Sequence, residues 1–238
     1  MRIVLLALVA ALASPAQAIV GPSSDGDDYA DRVVMVLARH GARQSVCSGV
    51  ALAPRLVLTA AHCLAAPGDT LVAARRDGAT VPIPVAAVAR HPGYDPDATR
   101  ARRRSIDLAL VRTAAPLEGF RYAEIGEAPA QGAPVIAVGF GVRQENGAPS
   151  DGHIRRADLA VTAPLSQVVL WTADPQGREL GACHGDSGGP IFDAEGKVVA
   201  VVAWTNGRSG RGCGAITQGP LAAPARGWIE AIRARWGD

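Results

Sequence analysis

Aromatic residues are only 4% of the 238 residues, so large rings cannot build the core and Ala, Val and Leu must fill it. Charge is low and nearly balanced. Asp, Glu, Lys and Arg make up 19% of the chain and the formal net charge is +2, which removes any bulk electrostatic case for nucleic acid. With 48% hydrophobic residues, a disordered chain is excluded as well. After residue 18 no apolar run is long enough to cross a bilayer as a helix. The four cysteines include no C-x-x-C pair, which argues against zinc, and no acidic cluster after Cys63 suits calcium, so no metal and no cofactor is expected. There is no internal repeat, and no low-complexity linker beyond the small polar segment from Pro22 to Asp28.

What is present begins with an export signal. Arg2 precedes an apolar run from Ile3 to Ala13, and Ser14-Pro15-Ala16-Gln17-Ala18 ends in an A-x-A site. This predicts a signal peptide over residues 1–18, cut near Ala18-Ile19, and a secreted or periplasmic protein. The run is too short to span a bilayer of about 30 Å as a helix; an uncleaved anchor is the alternative. An exported chain meets oxidising conditions, so four cysteines read as two disulfides, for which three pairings are open.

Beyond the leader the chain is a series of short apolar runs broken by Gly, Pro and Asp. Strands are predicted over 32–38, 48–52, 56–59, 71–74, 81–88 and 108–111. A polar, turn-rich linker follows around 113–127, then strands over 135–138, 154–161, 168–171, 191–192, 198–204 and 215–217. Periodicity by itself leaves sandwich and barrel both open. One helix is predicted at the end, where Trp228, Ile229, Ile232 and Trp236 share a face; packing is its expected role and membrane-surface contact the alternative.

Three words carry chemistry. Gly185-Asp186-Ser187-Gly188-Gly189-Pro190 sets a serine between glycines. Leu58-Thr59-Ala60-Ala61-His62-Cys63 holds a histidine beside a cysteine. Ser105-Ile106-Asp107-Leu108-Ala109-Leu110 puts an acid in an apolar frame. A serine hydroxyl is a weak nucleophile and needs a base, and its product oxyanion needs donors. Imidazole titrates near neutrality, so it can take the serine proton and return it. A carboxylate among apolar residues is costly unless paired, and an imidazole N–H would pair it. The plain alternatives are a packed histidine, a buried structural acid and a turn serine. The order His, Asp, Ser is that of the chymotrypsin arrangement. Over nearly all of its mature length the sequence resembles the chymotrypsin-like (trypsin-fold) serine proteases, and its Ala- and Arg-rich composition suggests a bacterial, secreted member.

The resemblance implies an all-β fold of two six-stranded Greek-key antiparallel β-barrels with a C-terminal α-helix. The first barrel would span residues 19–115, the second 116–222 and the helix 223–238. It implies catalytic His62, Asp107 and Ser187, an oxyanion hole from the N–H groups of Gly185 and Ser187, and disulfides Cys47–Cys63 and Cys183–Cys213. Relatives begin Ile-Val-Gly and pair that new amine with the acid before the serine. Here Ile19-Val20-Gly21 follows the A-x-A site directly, so signal peptidase itself would create the partner of Asp186, with Pro22 where relatives often carry a second glycine.

Specificity is read from the same resemblance. Gly181 stands at the pocket base, where trypsin-like enzymes carry aspartate, so cleavage after Arg or Lys is not expected. In Ala203-Trp204-Thr205, Thr205 replaces a glycine and narrows the pocket, and Ala203 lacks a hydroxyl that contacts the acid in relatives. Together with His184 at the rim, this implies cleavage after a small or medium uncharged residue. Arg100, Arg102, Arg103 and Arg104 read as a solvated basic loop, with a preference for acidic residues upstream of the cut as the sharper alternative. The expected partners are a protein or peptide substrate and a proteinaceous inhibitor, with no nucleic acid, no stable membrane insertion and a monomeric chain. A non-catalytic binding protein on the same scaffold is the rival reading.

Overall fold

The computed structural model describes residues 19–76, 79–101, 103–145, 150, 152–210 and 212–237. The expected leader, residues 1–18, and Arg102 of the basic loop lie outside the described residues. After a short strand β1 (Ser24–Asp25), six strands close a barrel: β2 (Val33–His40), β3 (Arg43–Ala53), β4 (Leu56–Thr59), β5 (Thr70–Arg76), β6 (Ala79–Arg90) and β7 (Ala109–Thr113). Their order is β2-β3-β4-β7-β6-β5, with β5 paired back to β2, and every pairing is antiparallel. Small aliphatic side chains fill the interior, as the lack of rings requires: Val33, Val50, Val57, Leu58, Val72, Leu110 and Val111 are all fully buried. Strand β3 starts five residues before its predicted start at Ser48, because the ladder with β2 continues to His40↔Arg43, where Arg43 and Gln44 are exposed and polar.

The second half forms one antiparallel sheet from β8 (Pro134–Gly139), β9 (Arg155–Val161), β10 (Val169–Ala173), β11 (Pro190–Phe192), β12 (Val198–Val201), β13 (Trp204–Asn206) and β14 (Ile216–Pro220). The strand path is β12-β11-β8-β9-β10-β14-β13, with β1 attached to β9. A bridge from Ala200 to Leu221 and a bond from the Ala222 N–H to the Val199 carbonyl (3.0 Å) join β12 to the end of β14. The ring of six strands is thus closed by a single bridge rather than a ladder. The predicted strand over 198–204 is two strands, since Val202 and Ala203 turn aside to bond Gly189 and Gln218. The linker between the halves is less polar in effect than in composition, with Leu117, Phe120 and Ala123 buried against the first core.

The C-terminal helix runs Arg226–Trp236, after a short turn at Ala223–Ala225 that contains Pro224. Ile229 and Ile232 are buried, and Trp228 and Trp236 pack partly buried on the same core. Trp228 also meets the ring of His91 edge-on at 4.9 Å, which makes that histidine a packing residue. The apolar face of the helix is therefore spent inside the protein. No helix among the described residues is long and apolar enough to cross a membrane.

Candidate active site

The antiparallel register between β4 and β7 brings the first two groups together. Thr59 faces Ala109, so the chain beyond Thr59 passes the residues before Ala109, and His62 arrives beside Asp107. His62 sits on a tight turn, Ala61–Cys63, whose carbonyls at Ala61 and Leu64 accept bonds from the Arg90 guanidinium (3.4 and 2.6 Å). Asp107 clamps the histidine twice. One carboxylate oxygen accepts from Nδ1 at 2.6 Å and the other from the backbone N–H at 2.9 Å. That fixes the tautomer, with the proton on Nδ1 and the lone pair on Nε2. Among the described residues both donors to Asp107 come from His62, and the side chain of Ala203, which lines the adjoining cavity with these two residues, has no donor to add. The His62 side chain is 37% exposed and that of Asp107 19%.

Ser187 comes from the second half of the chain, on the loop before β11. It reaches the first barrel because the next residue has no side chain. Gly188 has φ +82°, and a Cβ there would lie 2.1 Å from Thr59 Oγ1 and 2.2 Å from the Ser48 carbonyl. Cys63 is the common neighbour. Its sulfur is 3.7 Å from His62 Nε2 and 3.6 Å from the Ser187 carbonyl, and it is bonded to Cys47. Asp107 and His62 are thus bonded, and the backbone of Ser187 passes on the other side of Cys63. Among the described residues no hydrogen bond joins the Ser187 hydroxyl to His62 Nε2. The N–H groups of Gly185 and Ser187 donate to no acceptor among the described residues and stay free for an incoming oxygen.

Asp186 points the other way, into the protein. It is buried, its two oxygens accept N–H bonds from Gly141 (2.8 Å) and Cys183 (2.9 Å), and no cation pairs with it among the described residues. Burial drives its pKa up to about 7, against the pull of those two bonds. Ile19 is also fully buried, in the second core, and its neighbour Val20 bridges to Gly181, two residues from Cys183. Its φ of +52° is an outlying backbone state for a β-branched residue.

Beside Ser187 lies a cavity of about 420 Å³, lined by His184, Ala203, Trp204, Thr205 and, at its mouth, Glu145 and Gly212. Gly181 is not among its lining residues. It lies buried below, where a Cβ would meet the Gly214 carbonyl and Thr217 Oγ1 at 2.8 Å each. The Thr205 hydroxyl lies 2.7 Å from the Ala182 carbonyl and 2.9 Å from that of Ile216, its single proton shared between the two. A second cavity of about 400 Å³ flanks His62, with Tyr94, Arg104 and Trp204 in its wall. Arg100 is held by Asp97 (2.7 Å) and Arg103 by Asp95 (2.6 Å), and both Arg103 and Arg104 line this cavity. The larger cavity of about 970 Å³, around Asp27–Arg32 and Arg121, lies away from these groups.

Disulfides join Cys47 to Cys63 and Cys183 to Cys213. Those cysteines and the adjacent His62 and His184 are the close groupings of metal-ligating side chains among the described residues, and their sulfurs are already bonded to each other. Two supporting residues were missed from sequence, Arg90 under the histidine turn and Ser48 under the serine loop. A serine directly after Cys47 was the available signal for the second; nothing local marks Arg90.

A family model described as Trypsin matches residues 22–222. Trypsin iota of Drosophila melanogaster is 32% identical over 192 residues, which cover 72% of this chain and 71% of that protein. Human chymotrypsin-like elastase family member 1 is 25% identical over 221 residues, covering 83% and 84%. Among solved structures, human heparin binding protein has a TM-score of 0.72 at 21% identity, covering 89% of this chain and 94% of that one. Mouse neuropsin, a serine protease, has a TM-score of 0.70 at 20% identity, covering 85% and 94%.

Proposed function

Since the chain belongs to the trypsin family of serine proteases, we propose that it is an exported endopeptidase that cuts protein or peptide substrates after small uncharged residues, with His62, Asp107 and Ser187 as its triad. The observation that carries this reading is the double clamp of Asp107 on His62, at 2.6 and 2.9 Å, beside the loop of Ser187. With its Nδ1 proton committed to Asp107, the imidazole offers Nε2 as base. Ser187 Oγ attacks the scissile carbonyl as Nε2 takes its proton, and the new oxyanion is met by the N–H groups of Gly185 and Ser187. The intermediate collapses, His62 gives the proton to the leaving amine, and an acyl ester remains on Ser187. Water, deprotonated by the same nitrogen, attacks that ester and regenerates the serine.

The pocket supports a small residue before the cut. Gly181 supplies no carboxylate to pair with Arg or Lys, and the Thr205 side chain lines the cavity beside Ser187 and fills space that a glycine would leave. Activation is read from Asp186. In the 238-residue chain the Ile19 nitrogen is an amide; a cut after Ala18 would turn it into an ammonium, a partner for an acid that is buried with no cation among the described residues, and would abolish the outlying φ of Ile19. Export would then switch the enzyme on. The fold also carries a protein named for binding heparin, so labelling is the deciding experiment. A fluorophosphonate should label the protein starting at Ile19 at Ser187 and leave Ser187→Ala unlabelled, and peptide libraries should be cut after Ala, Ser or Val. Absence of labelling in the unmutated protein would favour a binding role.

A further inference from the structure

Ser48 is fully buried on β3, next to Cys47, and makes four hydrogen bonds that meet at one place. Its hydroxyl donates to the Gly185 carbonyl (2.9 Å) and accepts from the Phe140 N–H (2.9 Å). Its backbone N–H donates to the Ser187 carbonyl (2.7 Å), and its own carbonyl accepts from Thr59 Oγ1 (2.7 Å). One residue of the first barrel thus holds the two residues whose N–H groups face the cleft.

The accounting around those donors is complete. In a trans peptide the N–H points opposite to the carbonyl of the same unit, so fixing the carbonyl aims the donor. The Gly185 N–H shares a peptide with the His184 carbonyl, which accepts from Val142 N–H (2.7 Å). The Ser187 N–H shares one with the Asp186 carbonyl, which accepts from Gly189 N–H (2.9 Å). The second peptide of each donor residue is the one Ser48 holds. Gly185, at φ +97°, has no side chain to restrain it, and among the described residues the Ser48 hydroxyl is the donor its carbonyl has.

We propose that Ser48 is a positioning residue for the oxyanion donors, its hydroxyl locking the Gly185 backbone so that both N–H groups converge before substrate arrives. The hydroxyl is matched to the task, because it gives one bond to the serine loop and takes one from the β8 end, tying both halves of the chain to a single atom. It touches no reacting atom and acts only through Gly185 and Ser187. The proposal rests on the protease reading above.

The test compares the protein starting at Ile19 with its Ser48→Ala and Ser48→Gly variants, all normalised to active sites titrated with a burst substrate. Removing a direct oxyanion donor costs about 10²–10³ in kcat. Loosening one from behind should cost less: kcat per titrated site is expected to fall about tenfold, about 1.4 kcal/mol, with KM within about threefold. Affinity for a peptidyl boronate, whose tetrahedral adduct uses the same donors, should fall in step with kcat/KM. A purely structural serine would lower the titratable fraction or Tm and leave kcat per site and boronate affinity within twofold, and that result overturns the proposal. Failure of both variants to fold overturns it as well, since Ser48 is then a folding determinant. If the unmutated protein neither titrates nor cleaves, the protease reading itself has failed.

Discussion

Consider two forms of the chain, one starting at Ile19 and one with a single Met before it. In the extended form Asp186 has no cation, and burial lifts its pKa from 3.8 to about 7. At 1.36 kcal/mol per pKa unit, keeping it ionised at neutral pH costs about 4 kcal/mol. A folded pKa above the unfolded one means that the folded state binds the proton more tightly. The extended form is therefore most stable below pH 3.8, loses up to about 4 kcal/mol as pH rises to about 7, and levels off above. The outlying φ of Ile19 adds about 1–3 kcal/mol of strain while its nitrogen is acylated. In the form starting at Ile19, the ammonium (ordinary pKa near 8) holds the carboxylate charged. The loss between pH 4 and 7 then vanishes, and a new one begins only where the ammonium titrates, above about pH 8. Urea denaturation of both forms with Ser187→Ala, which prevents self-digestion, should show curves diverging from pH 4 and furthest apart at pH 7–8. Turnover of a small peptide amide at pH 7.5, with Ser187 intact, should be at least tenfold higher for the Ile19 form. Superimposable stability curves and equal turnover would remove the ion pair from the account.

The triad geometry makes a second demand. Asp107→Asn puts an amide where Nδ1–H must be accepted, and kcat should fall about 10⁴-fold with little change in KM; a loss under tenfold in steady-state assays contradicts the clamp. The pocket can be deepened by Thr205→Gly, which removes the bonds to Ala182 and Ile216, and the kcat/KM ratio for Leu over Ala before the cut should rise about 10–100-fold. Library profiling that shows no gain for larger residues would leave Thr205 irrelevant to selection. Asp174, bonded through both oxygens to Arg178, has its pKa lowered to about 2, so it contributes stability above pH 3.8 that fades as pH falls through about 2. Acid unfolding of Asp174→Asn should lose that slope between pH 4 and 2, and an unchanged acid limb would show the pair to be without effect.

Much of the site can be read from residue order because its words are local. The three residues before Ser187 are the glycine, the acid and the cysteine-flanked histidine of one turn, and their backbone states follow from which of them lack side chains. Asp107 stands out because an acid inside Ile-Asp-Leu-Ala-Leu is costly without a partner. The strands stand out because a core short of rings is written in runs of Val, Ala and Leu. Where the reading failed, the deciding contact was elsewhere. The extra length of β3 is held by its partner strand and not by its own side chains. The close packing of Gly181 against the Gly214 carbonyl and Thr217 Oγ1 is likewise made by residues more than thirty positions away.

Chemical identity was therefore available from the chain alone: an imidazole, a carboxylate and a hydroxyl in words that suit them, and enough aliphatic residues for two β cores. Distance and depth were not. Ser48 and Gly185 stand 137 residues apart and share one hydrogen bond. His62 and Asp107 are 45 apart and share two. Such contacts arise when strand register and barrel closure carry remote segments to one seam, and no short stretch of sequence encodes the register of its partner. The bonds that hold the backbone of Gly185 and Ser187 belong to that closure.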